Sequence, residues 1–105
     1  MIQNTLSIKD SRRLLKALAD PIRLEVIHAL AQGERCVCDL TGDLNLFQSK
    51  LSFHFRVLRE AGLLTDRQSG RSIYYGLQPN ALAALEAWLA ELRLHCSQSA
   101  APCPS

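Results

Sequence analysis

Two of the four cysteines in this 105-residue chain, Cys36 and Cys38, stand one residue apart in the run ERCVCDL. Thiolates this close suit a soft metal or metalloid, because sulfur is a soft donor and the short spacing lets one ion meet both. A helix is expected to begin here, and its N-terminal dipole, with Arg35 alongside, favours the thiolate form near neutral pH. On a regular helix residues i and i+2 point about 200° apart, so an ion gripped by both sulfurs is expected to unwind or bend this turn. Cys96 and Cys103 supply two further sulfurs near the other end of the chain. A direct Cys36–Cys38 bridge would close a strained small ring, so all four are read as free thiols, metal ligands or redox sensors in a reducing compartment. Cysteine catalysis needs a resolving thiol or a base beside the nucleophile. The sequence holds no C-x-x-C and no nucleophile–base pattern, which argues against an enzyme.

A second set of useful side chains follows at once. Gln48, Ser49, Lys50, Ser52, His54 and Arg56 lie at the start of a helix or off its apolar stripe, and they are types that bond base edges and phosphates of double-stranded DNA. The net charge of +2 does not by itself announce a nucleic-acid partner. Its distribution does more: positions 50 to 71 hold five basic residues against two acidic ones, which leaves the remainder of the chain at −1.

Placing these groups calls for one small helical domain, of a size that often gains stability by pairing with a copy of itself. After a frayed start at Met1 to Thr5, Ser7 followed by Asp10 reads as a capping-box-like opening of a helix to about Leu18, with Ile8, Leu14, Leu15 and Leu18 as its apolar positions. Asp20 offers an N-cap oxygen and Pro21 a harmless first position, so a second helix is expected over about 21–32, closed by Gly33. It buries Ile22, Val26, Ile27 and Leu30; His28 stands alone on another face, a surface or packing residue. The third helix covers Val37–Leu44, with Asp39 in its first turn and Leu40 and Leu44 inward. Asn45, Leu46 and Phe47 make the turn to a fourth helix over about 48–61, which buries Leu51, Phe55 and Leu58 and stops at Gly62. Two short helices joined by a tight turn are the plan of a helix-turn-helix, whose second helix enters the DNA major groove.

Extended segments over about 63–67 and Ser72–Leu77 flank Gln68, Ser69, Gly70 and Arg71, a hairpin with glycine where positive φ is needed. This is a wing, and Arg67 and Arg71 near its tip are placed to reach phosphates or a minor groove. A last helix runs from Gln78 or Pro79 to about Cys96, with Leu82, Leu85, Leu89, Leu92 and Cys96 forming a seam that Trp88 widens; part of that seam is assigned to a dimer interface. The architecture is therefore mainly α with a small β-hairpin: a dimeric winged helix-turn-helix over 1–96 with a flexible tail over 97–105. No N-terminal apolar run and no stretch of roughly 18 apolar residues occurs, so no signal peptide and no membrane span are expected, and the location is cytoplasmic.

ADPIRLEVIHAL, ERCVCDL, QSKLSFHFRVLREAGLL and GRSIYYGL, in that order across about 14–92, resemble the signatures of the ArsR/SmtB family of dimeric winged-helix metal-sensing repressors. The CVCDL run is similar to the family's arsenic-sensing branch. The resemblance implies a homodimer on operator DNA, released by As(III) or Sb(III) as inducer, with no catalytic cofactor. Cys36 and Cys38 match the metalloid thiolates, and Gln48, Ser49, Ser52 and His54 match recognition-helix positions. A repressor sensing cadmium, lead or zinc, or thiol oxidation or persulfide, through the same cysteines is the alternative. Three departures stand out. Thr41 occupies the position of a third nearby cysteine in some relatives, Phe47 that of a capping serine, and the last helix lacks the Asp and His ligands of zinc sensors, offering only His95. With that third sulfur missing, Cys96, ahead of Cys103, is the expected third ligand to Cys36 and Cys38, and a separate site built from Cys96 and Cys103 is the other arrangement.

Overall fold

The computed structural model describes residues 6–104; the frayed start expected at Met1 to Thr5 lies outside them. Among the described residues the chain forms α1 (Ile8–Leu18), α2 (Pro21–Ala29), β1 (Arg35–Cys36), α3 (Val37–Leu44), α4 (Gln48–Glu60), β2 (Leu64–Ser69), β3 (Ser72–Leu77) and α5 (Pro79–Leu94). The first two helices begin as their capping residues dictate. The Ser7 hydroxyl accepts the Asp10 amide at 3.1 Å, and the Asp20 carboxylate accepts the Arg23 amide at 3.0 Å with Pro21 in the first turn. Helix α2 ends earlier than expected because its last turn tightens: the Ala31 amide donates to the His28 carbonyl, and Gly33 leaves at φ +130°.

The helix-turn-helix is α3, its turn and α4. Asn45 takes the left-handed conformation at the end of α3, and Phe47 precedes α4 without a side-chain cap. That missing cap forgoes about 1 kcal/mol relative to serine or threonine. At the far end of α4 the Leu63 amide reaches the Leu58 carbonyl and the Gly62 amide the Arg59 carbonyl, both at 2.9 Å, closing the helix in a Schellman arrangement with Gly62 at φ +82°. Leu51, Phe55 and Leu58 are buried as the stripe required, joined in the core by Leu30 at the C-cap of α2, Leu40 of α3 and Leu63. The Phe55 ring packs 4.4 Å from that of Tyr75, tying α4 to β3.

The wing is present and longer than expected. Pairing continues out to Ser69 opposite Ser72, because only Gly70 and Arg71 form the loop and Gly70 supplies φ +61°. The strand β1 is an addition. Arg35 pairs with Tyr75 and Cys36 with Tyr74, giving an antiparallel sheet in the order β1-β3-β2. The α5 seam is only half used within the chain: Leu85 is buried, whereas Leu89 and Leu92 are each 54% exposed and Cys96 lies exposed beyond the helix end. Ile8 and Leu15, two of the four apolar positions named for α1, are likewise exposed. Residues 98–104 have no regular secondary structure. Among the described residues no helix is long and apolar enough to cross a membrane.

Candidate thiol site and nucleic-acid interface

Cys36 is at once the last residue of β1 and the N-cap of α3. Its backbone is extended (φ −80°, ψ 155°), it is only 8% exposed, and its Sγ accepts the Asp39 amide at 3.4 Å. Cys38 lies one turn-position into the helix and is exposed. Because Cys36 is not bound to the helical phase, its side chain swings round to meet that of Cys38, with the Cα atoms 5.5 Å apart. The sulfurs touch as a bridged pair, where the sequence led to the expectation of separate free thiols. The expected need to unwind the helix is also corrected, since the two sulfurs face one point while Val37–Leu44 stays helical.

The donor set extends beyond sulfur. One donor atom each from Cys36, Cys38 and Asp39 lies within 4.8 Å of the others, and this is the one group of three such ligands among the described residues. Asp39 therefore stands where a third ligand was sought from Cys96 or Cys103. Those two remain free and exposed, and within a single chain neither joins the pair. Thr41, in place of a third nearby cysteine, donates its hydroxyl to the Cys38 carbonyl at 2.9 Å. Arg35 does not reinforce the thiols, because its guanidinium is drawn to the Asp43 carboxylate.

The pair opens into a cleft of ≈ 180 Å³ lined also by Val37, Gln48, Arg71, Ser72 and Ile73. Thus the thiols, the first residue of α4 and the tip of the wing share one small space. A second tie reaches the wing from the segment before β1: Arg67 holds Glu34 through two hydrogen bonds, at 2.7 and 3.2 Å, and lies 4.7 Å over the Tyr74 ring. The hydrogen bonds from Arg67 hold the Glu34 carboxyl below its usual range, and Glu34 in turn raises that of Arg67.

On α4, Gln48, Ser49, Lys50, Ser52 and Arg56 are exposed, as an interface with DNA requires. His54 is not. It is 7% exposed, and its Nδ1 lies 3.1 Å from the Arg23 guanidinium and 3.7 Å from the Asp20 carboxylate. Arg23 also donates to the Ala17 carbonyl, so this cluster pins α4 to the start of α2. The Asp20 carboxyl is held below its usual range, chiefly by the Arg23 amide and, against the opposing effect of partial burial, by the charges of Arg23 and His54. Arg71 is exposed at the wing tip, whereas Arg67 is committed to Glu34 and Tyr74. The sequence placed Asp39 in the first turn of α3 without marking it as a donor beside Cys38, and Phe53, an apolar residue off the buried stripe of α4, went unremarked.

A helix-turn-helix followed by a hairpin that lies beside its second helix defines a winged helix-turn-helix, a class of DNA-binding domain. The model of the bacterial regulatory protein, arsR family, matches residues 20–66. The Arsenical resistance operon repressor of Escherichia coli (strain K12) is 43% identical over 81 residues, covering 76% of this chain and 66% of that one. Among solved structures, a possible transcriptional regulator for arsenical resistance is 35% identical with TM-score 0.67, covering 84% of this chain and 97% of that one. An ArsR family transcriptional regulator superposes at TM-score 0.78 with 26% identity, covering 90% and 99%. The chain belongs to the ArsR family. It spans 60 to 66% of the length of the first three curated relatives it matches.

Proposed function

We propose that this chain is a transcriptional repressor that binds operator DNA as a homodimer and is released when trivalent arsenic or antimony binds Cys36 and Cys38. The observation that carries the proposal is the cleft that places both sulfurs beside Gln48 of the recognition helix and Arg71 of the wing. The names of the arsenical resistance relatives support the choice of inducer. With the pair reduced to two thiols by a cellular dithiol, each thiol displaces one hydroxyl of arsenous acid as water, which leaves the third position on arsenic for an oxygen, from Asp39 or from the remaining hydroxyl.

An inducer held there acts on the DNA-binding surface at close range. It adjoins the residue that opens α4 and the arginine at the wing tip, and Cys36 is itself paired in register with Tyr74 of the wing. A hundredfold change in DNA affinity requires only about 2.7 kcal/mol of coupling. For the dimer, the supporting features are the exposed Leu89 and Leu92 on α5 and the apolar groove formed by Ile8, Leu15, Ala19 and Trp88 between α1 and α5. Pairing these faces completes the seam that one chain leaves half open.

Contact between the two sulfurs favours one second reading, in which oxidation of the thiols is the signal. A mobility-shift titration of the protein on a selected operator separates the two. Arsenite and antimonite are expected to release DNA at concentrations where cadmium, zinc and peroxide do not. Release by peroxide alone would establish the thiol-oxidation reading, and release by cadmium or zinc alone would overturn the choice of metalloid.

A further inference from the structure

We infer that Phe53 reads the 5-methyl group of a thymine in the major groove, making it a specificity-determining residue of the recognition helix; this rests on the proposal that α4 docks on DNA. The buried side of α4 carries Leu51, His54, Phe55 and Leu58. At about 100° per residue, the opposite side carries Ser49, Phe53, Arg56 and Glu60, spaced four, three and four apart. All four are exposed, and Phe53 retains 49% of its surface to solvent. An aromatic ring in the middle of the outward stripe contributes nothing to the core of this chain.

The ring has two neighbours on its own helix. It meets the buried His54 ring edge-on with centroids 5.2 Å apart, and the Arg56 guanidinium lies 6.0 Å from its centroid. Since Arg23 holds His54, the Phe53 ring adjoins the cluster that fastens α4 to α2. On its other side a groove of ≈ 530 Å³ lined by α1, α2 and α4 presents Arg13, Lys16 and Arg23, with Glu60 as the one acidic residue of its lining. Around the apolar ring cations thus outnumber the single Glu60 carboxylate, an excess of positive charge complementary to a polyanion that carries an apolar group. In duplex DNA the thymine methyl is the apolar group on the major-groove edge, and phenylalanine is among the side chains that contact it. His54 becomes the positioning residue of this contact instead of a reader in its own right.

The test uses the full chain. Duplexes are enriched from a random library with wild type, and each thymine of the winning site is then replaced singly by deoxyuracil, which lacks only the methyl. Wild type is expected to lose about fourfold in affinity at one thymine per half-site, the equivalent of one buried methyl group at ~0.8 kcal/mol. Phe53→Ala is expected to bind the same site with no uracil penalty at that position, while thymines contacted by other residues keep theirs. Uniform indifference of wild type to uracil, or an unchanged penalty in Phe53→Ala, would overturn the inference. So would a change in oligomeric mass of Phe53→Ala with the uracil pattern intact, which would assign the ring to a protein contact. Failure to enrich any duplex would overturn DNA binding itself, and this inference with it.

Discussion

Serine in place of Cys36 or Cys38 is expected to abolish release by arsenite while leaving operator affinity within about twofold of wild type, the range of a substitution that disturbs no packing. The physical reason differs at the two positions. Cys36 caps α3 through its Sγ, and serine is a stronger helix cap than cysteine, so the helix that carries the site is preserved or strengthened in Cys36→Ser. Cys38 is exposed, and serine there alters only the donor atom. What both variants lose is a soft ligand, and oxygen is a poor substitute for sulfur on arsenic. Mobility shifts at increasing arsenite measure the effect. A variant released at the wild-type concentration would show that its cysteine is not a ligand, and a variant that fails to bind DNA at all would show that the cysteine supports the fold instead.

The second large effect is structural. Phe55→Ala is expected to destabilise the domain by about 3–5 kcal/mol, the usual cost of emptying a buried phenylalanine site. Phe55 is 2% exposed and packs on Tyr75, so the variant loosens the recognition helix from the wing as well as opening a cavity. Domains of this kind hold only about 5–15 kcal/mol in total, so DNA binding should fall with the folded fraction. Urea unfolding followed by circular dichroism reads the loss as a lower midpoint at unchanged slope. A loss below about 1 kcal/mol would contradict the placement of this ring in the core.

Local signals in the sequence were enough for most of the fold. Ser7 and Asp20 cap the helices they were expected to cap, Leu51, Phe55 and Leu58 turn inward, and Gly62 and Gly70 sit where positive φ is required. What was illegible depends on partners distant in the chain. A strand of two residues has no periodicity, so β1 emerges only through its pairing with Tyr74 and Tyr75. His54 borders the apolar stripe and passes for a polar reader until Arg23, 31 positions away, draws it inward. Arg67 is taken up in the same manner by Glu34, 33 positions away. The geometry of the thiols turned on a single boundary: with Cys36 outside α3, the helical phase that would separate the sulfurs does not apply.

X-ray absorption at the arsenic edge tests the central claim most directly, because it counts the atoms bonded to arsenic in the loaded protein. The account predicts two sulfurs and one oxygen in wild type, and no sulfur-bound arsenic in the Cys36→Ser, Cys38→Ser double variant. A sulfur shell that survives in the double variant would contradict it and transfer the sensor to Cys96 and Cys103.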